Sequence, residues 1–241
     1  MRTAAETRLY IHETIEITVR HRQDFLTHFL SWAEPARELY GMRLFGVWAV
    51  NGSTHRWPEA IVMWEVDGLS GFTGMLKGEY AFLADPSLAS RDHYDIFWAH
   101  APQGVTDTKG ADRLLAPTAF SPALADAATG AMAGAGYVHY TFRGPPGCID
   151  DLLGTIGTDW CPAFGRFGLK LCGAYKTLLV NDSEAIALWA ISDWAQWAEL
   201  ELAMSHDDAL RALRHRAAVA RVDWEAKLLN PAPGMPLLGR G

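Results

Sequence analysis

Tyr10-Ile-His12-Glu-Thr14 returns 127 residues later as Tyr137-Val-His139-Tyr-Thr141 in a chain of 241 residues. Imidazole exchanges its proton close to neutrality, so a histidine recurring in the same setting is a candidate acid–base group. Alternation of period two puts Tyr10, His12 and Thr14 on one face of a strand, with Leu9, Ile11 and Ile15 on the other. The second copy sets Tyr137, His139 and Thr141 against Val138, Tyr140 and Phe142. The apolar sets belong under helices, and the polar sets then face a shared interior. There His12, His139, Tyr10 and Tyr137 form the candidate catalytic group. The competing use of such histidines is structural, each bonding a neighbouring Tyr, Thr or backbone group.

Other chemistry-bearing residues carry less. Glu13 has the opposite parity to His12 and its counterpart is Tyr140, which reads as a rim or helix-facing residue in a salt bridge. Glu34 and Asp159, near Trp32 and Trp160, read as solvated helix-surface charges. Cys161 would need a lowered pKa and a nearby base to act as a nucleophile, and packing is the simpler role. Cys148, Cys161 and Cys172 are odd in number and lack C-x-x-C spacing, so neither a disulfide framework nor a zinc ribbon is expected. A metal needs three or four converging ligands, and only two histidines are paired, so no metal is expected. A G-x-G-x-x-G element after a strand, a Walker A sequence and a G-x-S-x-G elbow are all missing from the sequence.

The balance of 21 basic against 28 acidic residues gives a net charge of -7, which offers no electrostatic footprint for nucleic acid or an anionic membrane. Charges at Arg2, Glu6 and Arg8 interrupt the apolar run that a signal peptide needs, and no uncharged stretch suits a spanning helix, so the chain reads as cytoplasmic. Ten Trp, ten Phe and seven Tyr exceed what solubility asks for and point to a partner that is a small apolar or aromatic molecule.

The elements that must position these residues come twice. Gly41-Met-Arg-Leu-Phe-Gly-Val-Trp48 returns as Gly168-Leu-Lys-Leu-Cys-Gly-Ala-Tyr175, Glu59-Ala-Ile-Val-Met-Trp64 as Glu184-Ala-Ile-Ala-Leu-Trp189, and Arg113-Leu-Leu-Ala-Pro117 as Lys227-Leu-Leu-Asn-Pro231. Four segments recurring in the same order describe a duplicated domain. Residues 8–120 form the first unit, 121–136 an Ala/Gly-rich linker, and 137–241 the second unit with a C-terminal tail. In the first unit, strands are expected near 9–17, 42–50, 60–66 and 114–120, with helices near 19–39 and 69–83. Asn51-Gly52 would make a hairpin turn between the second and third strands. The second unit repeats this order, with strands expected near 137–142, 169–180, 185–191 and 226–230, helices near 147–166 and 193–219, and its turn at Asn181-Asp182. The segment from His93 to Asp112 is longer than its counterpart by about a dozen residues. Extra length at a barrel mouth commonly carries substrate contacts, which makes His93, His100, Asp107 and Lys109 secondary candidates.

A β-α-β-β-α-β order is an α+β, ferredoxin-like unit, with two helices on one face of a four-stranded sheet. The bare faces of two such units would pack sheet to sheet as a pseudo-symmetric barrel. Gly41 to Trp48, Trp64 and Arg113 to Pro122, followed by Gly168 to Tyr175, Trp189 and Lys227 to Pro236, resemble the NIPSNAP-type branch of the dimeric α/β-barrel superfamily. That resemblance implies a superfamily of cofactor-independent monooxygenases, isomerases, lyases and haem-handling proteins. Where the family often has His-x-Trp, this chain has Val62 and Ala187, which leaves space beside Trp64 and Trp189. The expected protein is a cofactor-independent isomerase- or lyase-type enzyme with His acid–base chemistry. It would hold its substrate inside the barrel between Trp48, Trp64, Tyr175 and Trp189, with His100 as a further contact. The rivals are a haem protein ligated by His12, His139 or His100, a cofactor-free monooxygenase, and a non-catalytic scaffold; a homodimer is compatible with all of them.

Overall fold

The computed structural model describes residues 7–85, 87, 109–127 and 129–238. Eight strands, β1 (Leu9–Glu16), β2 (Arg43–Val50), β3 (Glu59–Val66), β4 (Gly110–Pro117), β5 (Gly136–Arg143), β6 (Leu169–Thr177), β7 (Glu184–Ile191) and β8 (Asp223–Pro231), close into one antiparallel barrel. The order around it is β1-β3-β2-β8-β5-β7-β6-β4. Helices α1 (Arg22–Tyr40), α2 (Gly68–Glu79) and α3 (Ala81–Ala84) belong to the first half. The turn α4 (Leu124–Ala127) lies in the connecting segment, and α5 (Ile149–Thr155), α6 (Cys161–Gly165), α7 (Trp194–Ala203) and α8 (Asp208–Val219) follow. None of the described helices is long and apolar enough to cross a membrane.

Each half contributes four neighbouring strands, and the halves meet edge to edge. Trp48 pairs with Pro231 across β2 and β8, and Tyr175 pairs with Pro117 across β4 and β6. The closed ring leaves no sheet edge unpaired. In α1, Phe25, Phe29, Trp32 and Ala36 recur at helical spacing and are all buried on one face. The helix ends at Gly41, whose φ of 69° lets Gly41 and Met42 donate back to the carbonyls of Arg37 and Ala36.

Strand parity sorts the apolar residues into three compartments. Ile11, Val62 and Trp64 lie under α1 and α2, while Val138, Tyr140 and Trp189 lie under the helices of the second half. Tyr10, Trp48, Tyr137 and Tyr175 fill the barrel interior together with Phe45, Met63 and Leu188. Two bulges, at Leu44/Gly46 and Leu171/Gly173, shift the register so that Trp48 and Tyr175 point inward. A Cβ on Gly46 would stand 2.3 Å from the Trp48 ring, and one on Gly173 would stand 2.0 Å from the Tyr175 hydroxyl. The recurring Gly-x-aromatic pattern is therefore a device for laying a large ring over its own strand.

Two expectations about turns and helices change. Asn51-Gly52 does not make a two-residue hairpin: β2 and β3 are joined by residues 51–58, ending in a cis Trp57–Pro58 peptide, and neither Asn51 nor Gly52 has a positive φ. Asn181 and Asp182 do adopt left-handed backbone, with φ of 52° and 56°. The long helix expected over the end of the second unit is two helices, α7 and α8, because Asp207 caps a fresh N-terminus by accepting from the Leu210 amide.

Candidate functional site

The structure brings His12 and His139 together at the centre of the barrel, with their Nε2 atoms 2.9 Å apart and both side chains buried. Their strand partners are Arg113 and Lys227, which occupy equivalent places in the two halves. Arg113 Nε donates to Glu184 Oε1 at 2.7 Å, and Lys227 Nζ donates to Glu59 Oε2 at 2.7 Å. Each ion pair thus joins one half to the other. Six residues singled out by the repeat form one polar layer across the barrel, buried except for the half-buried Arg113.

Burial in that layer works against the acid–base role near neutrality expected for the histidines. Burial pushes the His12 pKa down to about 3, with the charge of Arg113 adding to the effect. His139 is also held well below the usual range, by burial and then by its neighbours His12, Lys227 and Arg113. Both imidazoles are neutral at pH 7. One Nε2 donates to the other, which is a structural use. Nor do they fit a haem: each Nε2 is occupied by the other ring, and the surrounding interior is filled by side chains.

Tyr10 and Tyr137 are likewise committed. Tyr10 donates to Glu65 Oε2 at 2.6 Å, and Tyr137 donates to the Met132 carbonyl at 3.1 Å. Burial raises the pKa of both phenols. Tyr10 meets Tyr175 edge-on with ring centroids 4.9 Å apart, and Tyr137 meets Trp48 in the same way at 5.5 Å. These four rings, closed over by Met235 and Leu237 of the tail, plug the barrel where a substrate was expected. Trp64 and Trp189 are not part of this interior: they pair with Ile11 and Val138 and share their outward parity, so both lie beneath helices. His93, His100 and Asp107 lie outside the described residues; Lys109 is exposed and its carbonyl accepts from the Glu16 amide at 2.7 Å.

A cavity lies outside the barrel, between β1, β4 and α2 of the first half, with a volume of about 480 Å³. Ile11, Ile15, Phe72, Met75, Leu76 and Leu114 supply its apolar wall, and Glu13, Glu79 and Asp112 its carboxyl groups. Glu13 faces this cavity, not the rim, because it shares the parity of Ile11. Its Oε1 accepts from Trp64 Nε1–H at 2.7 Å, which fixes the carboxyl against the sheet. Val62 is the direct cross-strand partner of Glu13, and so a small side chain stands beside it.

Burial raises the Glu13 pKa to about 8, and the carboxyl of Asp112, its partner on β4, adds to the rise; the Trp64 bond opposes it. Asp112 is raised in turn by burial. Two carboxyl groups side by side in a partly apolar cleft cannot both ionise easily, so Glu13 holds its proton at neutral pH. Sequence reasoning set Glu13 aside because its counterpart is Tyr140. The signal available was a charge on the apolar side of a strand, opposite an Asp on a neighbouring one. Among the described residues no group of three or more His, Cys, Asp or Glu side chains is arranged to hold a metal ion.

No protein-family model matches the chain, and no curated protein matches it in sequence. Its fold is shared by solved structures. A candidate monooxygenase from Lactobacillus acidophilus is 9% identical, with a TM-score of 0.58 over 94% of this chain and 95% of the other. An anthrone oxidase-like protein is 12% identical, with a TM-score of 0.58 over 100% of this chain and 99% of the other. An uncharacterized NIPSNAP domain protein from Burkholderia xenovorans is 18% identical over 42% of this chain and 98% of its own, with a TM-score of 0.37. The chain has the dimeric α/β-barrel fold, formed here by a single polypeptide.

Proposed function

We propose that the protein is an enzyme that moves a proton on a small, largely apolar molecule bound between β1, β4 and α2, with Glu13 as the acid–base group. The observation that carries this reading is a carboxyl fixed by an indole N–H on the wall of a cavity of about 480 Å³, where burial pushes its pKa up to about 8. A group that titrates close to working pH is both a competent base and a competent acid, and such groups supply about 10²- to 10⁴-fold in rate. Trp64 orients the carboxyl, and Asp112 keeps its proton affinity high. The apolar wall suits the uncharged, oily substrate that the aromatic composition suggests.

The two halves are read as copies of one ferredoxin-like βαββαβ unit, spanning 8–120 and 137–241, of which the first has kept the reacting groups. Glu13 and Asp112 correspond to Tyr140 and Ala226 in the second half, and both of those are packed into its apolar core. Two proteins that share the fold, described as a candidate monooxygenase and as anthrone oxidase-like, support an enzyme on this scaffold. Proton abstraction from a carbon or phenol acid leads either to isomerisation or elimination, or to reaction of the resulting anion with dioxygen. Product analysis under air and under nitrogen separates these outcomes.

The test is turnover of a panel of apolar carbon and phenol acids, anthrone included, by the parent and by Glu13→Gln. The parent kcat/KM is expected to rise with pH to a plateau above about 8, where Glu13 is ionised. The variant should lose about 10²- to 10⁴-fold with its fold intact. A Glu13→Gln enzyme working at the parent rate would overturn the assignment.

A further inference from the structure

We propose that Leu179, carried by the second half of the chain, is a specificity-determining residue of the cavity in the first half, where it lies over a bound apolar substrate and is buried by it. The inference rests on the cavity reading above and adds a contact that the first half cannot supply alone. Leu179 lines the cavity mouth yet is 91% exposed, the most open of the large apolar side chains among the described residues. It also holds a φ of 67°, a left-handed backbone that leucine adopts only at a cost. An oily side chain held in strained backbone at a cavity mouth is what a ligand-completed wall looks like before the ligand arrives.

The turn that presents it is anchored on both sides. The preceding Leu178 packs against the helix-side core of the first half, and its amide donates to the Leu114 carbonyl at 2.8 Å. Beyond the tip, the Ser183 hydroxyl donates to the Val180 carbonyl at 2.6 Å, and the Asp182 carbonyl accepts from Gly147 at 3.0 Å. Lys176 pairs with Asp182 at the base. Only the tip is left open, so Leu179 is held over the mouth.

Nile red, an uncharged apolar dye, serves as the probe, with its affinity and the melting temperature measured for the parent and for Leu179→Ser, Leu179→Gly and Leu76→Trp. Leu76→Trp fills the cavity and should abolish dye binding. Both Leu179 variants should weaken binding by about tenfold, the scale of one leucine partly buried on binding. Leu179→Gly should melt no lower than the parent, because glycine takes the left-handed backbone freely, which separates loss of contact from loss of fold. If Leu76→Trp abolishes binding while both Leu179 variants bind as the parent does, the inference falls and the cavity reading stands. Parent-like binding by Leu76→Trp would place the dye elsewhere and overturn both. A parent dimer in sedimentation that Leu179→Ser dissociates would make the residue a subunit contact and overturn the inference.

Discussion

Glu13 and Tyr140 stand at equivalent places on β1 and β5, and each lies directly opposite a residue of the last strand of its own half, Asp112 for Glu13 and Ala226 for Tyr140. In the first half this puts two carboxyl groups on the wall of a cavity. In the second, Tyr140 stacks on Phe142 at 5.7 Å and meets Trp160 edge-on at 6.0 Å, filling the corresponding place with rings. These two positions thus separate a half with a carboxyl-lined cavity from a half packed with rings.

The pH dependence of stability should report Glu13. The folded protein keeps this proton up to about pH 8, whereas the unfolded chain releases it near 4.5. Folding therefore binds a proton between those values, and the contribution to stability is greatest below 4.5 and declines as pH rises through 8. Glu13→Gln removes that slope. Urea midpoints at pH 5 and 8.5 should converge in the variant relative to the parent; an unchanged slope would mean that the carboxyl is not perturbed.

The buried histidines should act in the opposite direction. The unfolded chain takes up protons near pH 6.5, while His12 refuses one until about 3 and His139 is likewise suppressed. Stability is then full above about 7 and falls as the pH drops through 6 and 5. The double variant His12→Gln/His139→Gln should flatten this acid limb while leaving activity at neutral pH within a few-fold of the parent. A loss of activity on the scale of the Glu13 variant would return the histidines to the chemistry.

Lys227 and Glu59 form a buried ion pair between the halves. Lys227→Met strands the Glu59 carboxylate and should cost about 3–5 kcal/mol, whereas replacing both partners with apolar residues should cost much less. Chemical denaturation of the three variants as a double-mutant cycle measures the coupling. A double-variant loss equal to the sum of the two single losses would show that the pair is not coupled.

Gly46→Ala and Gly173→Ala should each destabilise the barrel by at least about 1–3 kcal/mol, because the added methyl meets the Trp48 ring or the Tyr175 phenol and must displace it. Gly74→Ala on α2, with open space around its Cβ, should instead be neutral or stabilising. Thermal melts of the three variants give the comparison.

Much of the architecture is legible in local pattern. Period-two alternation around His12 and His139 places them in one interior, since parity along a strand follows from backbone geometry alone. The repeated Gly41–Trp48 and Gly168–Tyr175 segments mark corresponding strands, and the cap at Gly41 and the left-handed turn at Asn181-Asp182 follow from residue type. The same parity argument carries Trp64 and Trp189 outward with Ile11 and Val138. Trp48 and Tyr175 point inward only because each strand bulges just before its glycine, and a bulge leaves no mark on the period of the sequence around it.

The order of elements along the chain, the shared interior of the two histidines and the two-half construction are thus determined by the sequence itself, because they depend on nearest-neighbour geometry and on a repeat that can be counted. Tertiary structure alone decided whether the interior was a pocket or a plug, since that depends on how the volumes of Trp48, Tyr175, Tyr10 and Tyr137 add up across two halves joined only through space. It also sets the proton affinities. The pKa of an imidazole or a carboxyl is set by the water taken away from it and the charges left beside it, and those neighbours lie on other strands: Arg113 and Lys227 for His12 and His139, Trp64 and Asp112 for Glu13.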